Sequence, residues 1–224
     1  QYGLGLVGID SNIKINGRPT RATNSKIVSA NAGSRTITVT DNVSDWNVGQ
    51  NIILADSEKV GGSYVPRTET KRILSINGNG NSITVDSALT YSYKSSVVYA
   101  GQNVIFTSNA PVSGHILFTG NTKLDFTNVY IEKMGRTRSS PVASVTLDHD
   151  GEVLKLPDNQ IGRYSLHAHH LEQAYYIAGN VINNTGDPML RWSTTLHMSH
   201  GIFENNSIVN YGEAAIGVET YVDT

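Results

Sequence analysis

Cysteine is absent from the 224 residues, which excludes disulfides and thiolate metal sites and leaves the cellular compartment open. Charge is scarce as well. Only 16% of residues are Asp, Glu, Lys or Arg and the formal net charge is -2, so no electrostatic case exists for nucleic acid or an anionic membrane surface. No apolar run approaches the roughly 20 residues of a membrane span. Helical periodicity is hard to find anywhere along the chain. What is present is 21 glycines against six prolines, with many Asn, Ser and Thr between short β-branched runs. That composition predicts a turn-rich, all-β protein.

The length suffices for one substantial core, and for two domains at most. The chain opens QYGLGLVGID, without an initiator Met or signal peptide, and stops at VETYVDT, so it reads as a piece of something longer. Residues 1–100 read as an N-terminal region of strands and hairpins. SRTITVTDNV (34–43) and NSITVDSALT (81–90) share one alternating pattern. In the stretch 44–55, Trp46, Val48, Ile52 and Leu54 alternate across a turn at Gly49, which predicts a core position for Trp46. Residues 56–70 are polar and predict a loop.

From 101 to 224 the chain repeats. DFTNVYIEKMG (125–135), YIAGNVINNTG (176–186) and IFENNSIVNYG (202–212) align on their last glycine. Phe126, Ile177 and Phe203 then correspond, as do Ile131, Ile182 and Ile208. The glycine spacings are 51 and 26, so the first gap holds either two periods or one period plus an insertion. Residues 138–160 lack the pattern and read as that insertion, a hairpin. A period near 25 with apolar positions, Asn and a turn glycine suits a single-stranded parallel β-helix, a solenoid whose coils stack at about 4.8 Å. A β-sandwich with accidental similarity is the competing architecture.

Five of the seven histidines fall between 167 and 200. On an extended strand His167 and His169 share one face, outward to solvent, while Leu166, Ala168 and His170 take the other. Stacked coils would set His197 beside His169 or His167, and the following coil would bring Glu219 near His197. Glu219 is the candidate general acid, with Asp223 able to raise its pKa; His167, His169 and His197 are candidate bases, orienting groups or ligands of a divalent ion. Arg163 and Arg191 could grip substrate carboxylates, although Arg163 could equally cap coil-corner carbonyls. Asp187 and His200 complete the candidate binding set. His-x-His with a third histidine on the next strand can form a zinc-type triad with an open position, yet no acid completes a known zinc motif, so the metal is left unassigned. No other cofactor is indicated. His115 and His149 stand alone and read as ordinary surface or turn residues, and Trp192 could stack on a sugar face.

The stretch GLGLVGIDSNIKINGRPTRAT, followed by AGSRTITVTDNVSDWNVGQNIILA, resembles the end of the eight-glycine domain and the strands after it. This domain occurs in the hyaluronidase-like β-helix proteins, a group including the hyaluronan-binding cell-migration inducers, the transmembrane hyaluronidases and the fibrocystin-like proteins. SGHILFTGNTKLDFTNVYIEKMGRT, GRYSLHAHHL, TTLHMSHG and GEAAIGVET are similar to the group's later motifs, in the same order. The resemblance implies a right-handed parallel β-helix, a secreted or cell-surface setting and, for some members, depolymerisation of hyaluronan. Departures from the group's pattern are Gln50, Ser165, Ala168, Met198, Glu213 and Thr220; two of these replace acids and one a histidine. Two functions therefore stand side by side: hydrolysis of an acidic polysaccharide, with lyase chemistry as its variant, and a non-enzymatic adhesin, filament or fibre module that self-associates along the solenoid axis.

Overall fold

The computed structural model describes residues 5–109, 113–140, 146–155, 159–184 and 190–219. Every regular element in these segments is a β-strand, and no helix among them is long and apolar enough to cross a membrane. The all-β expectation holds.

The sequence repeat is the stacking unit. Phe126 pairs with Ile177, and Ile177 with Phe203, in one parallel sheet. Ile131 pairs with Ile182, and Ile182 with Ile208, in another. The 51-residue gap is therefore one coil carrying an insertion. Within that insertion Thr146–Leu147 and Val153–Lys155 form an antiparallel hairpin.

Three parallel sheets result, each receiving one strand per pass of the chain. The first face runs Gly5–Ile9, His115–Gly120, Leu166–Leu171, Trp192–His197, Ala214–Glu219. The second runs Asn12–Asn16, Lys123–Thr127, Tyr175–Ala178, Gly201–Glu204, and the third Val104–Thr107, Val129–Glu132, Val181–Asn183, Ser207–Val209. Their inward side chains, among them Ile116, Phe118, Phe126, Ile131, Leu166 and Ile177, meet in one fully buried apolar column. Burying such side chains is worth roughly 1.5–3 kcal/mol each, which is what holds coils that pair only with their neighbours.

The corners demand unusual backbone. Asp10, Gly120, His170 and Met198 end the first face in successive coils, with φ of 46, 65, 51 and 44°. Asn128, Gly179 and Asn205 end the second, with φ of 55, 66 and 51°. Glycine and asparagine tolerate this left-handed region, which explains their abundance here. Asn180 and Asn206 add a stacked pair beside the second corner. The Asn180 side chain donates to the Phe126 carbonyl and to Asn206 Oδ1, and accepts the Val129 N–H.

Residues 1–100 do not form one region. Gly5–Ile9 and Asn12–Asn16 pair with strands beyond residue 100 and belong to the first coil. Between Asn16 and Val104 the chain leaves the stack to build a closed six-stranded barrel from Asn24–Ser29, Thr36–Val39, Asn51–Val60, Ser63–Ile76, Ser82–Val85 and Ser96–Tyr99. The expected loop at 56–70 is instead the end of a long antiparallel hairpin, turned at Gly61–Gly62 with φ of 58 and 92°. Two consecutive left-handed glycines fit a tight hairpin turn, and with few apolar residues the arm gave no strand signal. Trp46 is buried, stacked 5.1 Å from Tyr99, but Val48 is 61% exposed because its segment turns at Gly49. The barrel docks on the third face: Ile53 and Val98 pack with Tyr130, Val181 and Val209, and Thr23 Oγ1 lies 2.7 Å from Ser207 Oγ.

Candidate functional site

The first face carries the histidines. In register across it stand Thr119, His169, His197 and Glu219, while Leu117, His167, Thr195 and Gly217 form the parallel row. Leu166, Ala168 and Leu196 alternate inward and anchor these strands in the core. Of these rows Leu117, His167, His169, His197 and Glu219 line a cavity of about 300 Å³, together with the segment Gln160–Tyr164.

That segment folds back over the sheet and covers His167. Gly162 takes φ of 79°, and its carbonyl oxygen lies 3.1 Å from His167 Nδ1, so that nitrogen is the protonated donor. Tyr164 is buried, with its ring 5.2 Å from the His167 ring and 5.3 Å from that of Trp192. Arg163 lines the cavity, while its backbone N–H donates to Thr137 Oγ1 and its carbonyl accepts the Arg136 N–H. His167 therefore faces outward yet is only 4% exposed, where the alternation predicted an open surface position.

His170 departs further from expectation. Instead of entering the core it sits at the left-handed corner, where an irregularity in pairing adds one residue to the strand. The kink turns it outward, with its ring 4.3 Å from His169 and 4.7 Å from His197. His169 and His197 are 4.9 Å apart, and His167 lies 5.0 Å from His169. Four imidazoles thus share one patch.

Their electrostatics follow from crowding and burial. His167 is held down to about 3, by burial first and then by His169, His197 and Arg163, against the raising effect of its bond to Gly162. His169 falls to about 4, through burial and then through His170 and His197. Both rings are uncharged at neutral pH and carry lone pairs. His167 Nε2 is buried without a hydrogen-bond partner. On the open side, Glu219 Oε2 lies 3.8 Å from His197 Nδ1. One nitrogen each from His167, His169 and His197 lie within 4.8 Å of one another, a spacing that could gather a metal ion.

The remaining candidates spread out. Arg191 places its guanidinium 4.1 Å from the Trp192 ring, outside the cavity lining, and Trp192 also packs against Tyr164 and Gly217. His200 is exposed on the turn after the fourth coil's first strand and is not part of the lining. Asp187, Thr220 and Asp223 lie outside the described residues. His149 is exposed beside Asp150, as expected, but His115 is fully buried under Gly5 and near Arg136 Nη1 at 3.4 Å. Ser165, at a departure from the resembling group's motif, is fully buried and donates to the Met134 carbonyl at 2.6 Å. Sequence reasoning missed Gln160 and Ile161 as lining, because contact through a folded-back loop has no period to detect, and Leu117, which the register sets beside His167 one coil earlier.

No family model and no curated protein matches the chain. Among solved structures it is similar to three phage tailspikes. The gp49 tailspike of Pseudomonas phage LKA1 aligns at 16% identity and a TM-score of 0.33, over 88% of this chain and 30% of that one. The Gp54 tailspike of Acinetobacter baumannii bacteriophage AP22, solved in complex with A. baumannii capsular saccharide, aligns at 12% identity and 0.30, over 96% and 39%. The gp61 tailspike of Pseudomonas phage phi297 aligns at 11% and 0.30, over 97% and 39%. The chain spans less than two fifths of the length of each of these tailspikes.

Proposed function

We propose that this chain is the catalytic portion of a secreted or cell-surface carbohydrate-active protein that binds an acidic polysaccharide across the first face and hydrolyses it. Its solenoid is a right-handed parallel β-helix, the hand that parallel crossovers almost always take. The observation that carries the reading is the convergence of three histidines, Glu219 and Arg163 on one cavity, from residues 56 positions apart along the chain. Likeness of the histidine motifs to those of the hyaluronidase-like β-helix proteins supports the same substrate class.

His169 and Glu219 stand two strand spacings apart, about 9.6 Å between backbones. This backbone distance lies just above the roughly 6.5–9.5 Å that separates the two carboxyl groups of inverting glycoside hydrolases, and leaves room for a water between the side chains. In this reading the imidazole cluster activates the water, Glu219 donates its proton to the departing glycosidic oxygen, and Arg163 pairs with a sugar carboxylate. Water adds across the bond and no double bond forms.

Incubation with hyaluronan, chondroitin and bacterial capsular polysaccharides, followed by chain-length analysis, tests this. Shortening of at least one acidic chain is expected, without the ultraviolet absorbance of an unsaturated uronate. Glu219→Gln and His169→Ala should each slow it by roughly 100-fold or more. If both variants cleave at the wild-type rate, the site assignment is wrong.

A further inference from the structure

We infer that His167, His169 and His197 form a zinc-type site, three imidazole nitrogens closing on one divalent transition-metal ion whose fourth position opens into the cavity. Four observations on the first face lead there. One nitrogen from each ring lies within 4.8 Å of the others. His167 Nε2 is buried without a partner, an expensive arrangement for a polar atom unless something occupies its lone pair. Its Nδ1 is fixed by the Gly162 carbonyl, the backbone bond that selects the tautomer and aims Nε2 in metal-ligating histidines. Glu219 Oε2 lies 3.8 Å from Nδ1 of His197, beyond a hydrogen bond but close enough for its carboxylate charge to favour a cation at the cluster.

Geometry and charge set what the ion must be. Tetrahedral ligands about 2.0–2.1 Å from zinc stand about 3.4 Å apart, so the rings must draw in by at most about 1.4 Å. His167 is held by its buried surroundings, whereas His169 and His197 are only partly buried, so the closing movement falls to them. Three neutral nitrogen donors select zinc, copper or nickel over calcium or magnesium, and zinc alone of these has no geometric demand beyond four ligands. Arg163 on the rim opposes a cation and Glu219 offsets it. Three protein ligands with one open position is the arrangement of catalytic rather than structural zinc. The inference deepens the hydrolase reading by naming what activates the water, but the metal site stands or falls without any glycan.

The test uses tag-free protein stripped with a chelator and titrated with zinc chloride by calorimetry, with metal content after dialysis as a second readout. One zinc per chain is expected. His169→Gln and His197→Gln, both at half-exposed positions that leave the core intact, should weaken binding by on the order of 100-fold, and Glu219→Gln by about 10-fold. His149→Gln serves as control for the exposed Asp148–His149–Asp150 group and should change nothing. Absence of zinc binding by the wild type overturns the proposal, as does binding that survives in His169→Gln or vanishes in His149→Gln. Zinc binding without cleavage of any polysaccharide would sink the hydrolase reading alone; cleavage unaffected by chelation would sink the metal alone.

Discussion

At the residue scale the first face combines side chains that the repeat places with others that a corner or a folded-back loop displaces. His169, His197 and Glu219 were legible as neighbours because a period near 25 aligns them, and the register does align them. His170 was not legible, because one residue in a left-handed corner reverses the alternation after it. Burial of His167 was equally hidden, since it depends on the segment from Gln160 to Tyr164, which folds back over the strand and carries no repeat signal. The same corner yields a prediction. Met198 adopts φ of 44° with its side chain 38% exposed, so it bears left-handed strain that partial burial offsets only in part. Such strain costs roughly 1–2 kcal/mol, part of which glycine returns through its freer unfolded chain. Met198→Gly should therefore raise stability by about 0.5–1 kcal/mol in urea unfolding, and a loss of stability would show that the methionine packs after all.

At the scale of elements, the coils were readable and the barrel was not. Inward Phe and Ile at fixed intervals mark a stack whose every strand has an equivalent neighbour, so periodicity survives in the sequence. Barrel strands pair antiparallel across loops of unequal length and leave only local alternation. The long arm of Asn51–Val60 and Ser63–Ile76 left even less. One strand of that arm carries Glu69 in an ion pair with Lys71 at 2.8 Å, with both side chains 10% exposed. Burial alone would raise the Glu69 carboxyl, but Lys71, the Tyr93 hydroxyl, the Tyr91 N–H and Thr90 outweigh it and lower it to about 2. A carboxylate lowered on folding stabilises fully above its unfolded value near 4.5, and that contribution drains away as pH falls toward 2. It should amount to about 2 kcal/mol once partial solvent screening is allowed for. Wild-type protein should accordingly lose stability more steeply across this window than Glu69→Gln does, as read by urea midpoints. Equal slopes would mean the pair contributes nothing.

For the whole molecule, an inserted barrel and a solenoid meet on the third face, through the cluster of Ile53, Val98, Tyr130, Val181 and Val209 and through Thr68 Oγ1 donating to Asn210 Oδ1 at 2.8 Å. This contact leaves the first face, with its histidines, on a different side of the coil from the barrel. A chain crossing the first face would run over several coils at once, which is how a stack of short strands can recognise a polymer without a deep pocket. Everything proposed for the site depends on coils lying in register there. The sequence has no cysteine, so a paired replacement can form only the intended disulfide within one chain. With His169→Cys and His197→Cys together, parallel neighbours about 5 Å apart fall within the roughly 4.4–6.8 Å that a disulfide spans. The account predicts that this pair oxidises quantitatively in the folded protein, while a pair at 169 and 200 stays reduced. Two free thiols at 169 and 197 under native oxidising conditions would contradict it.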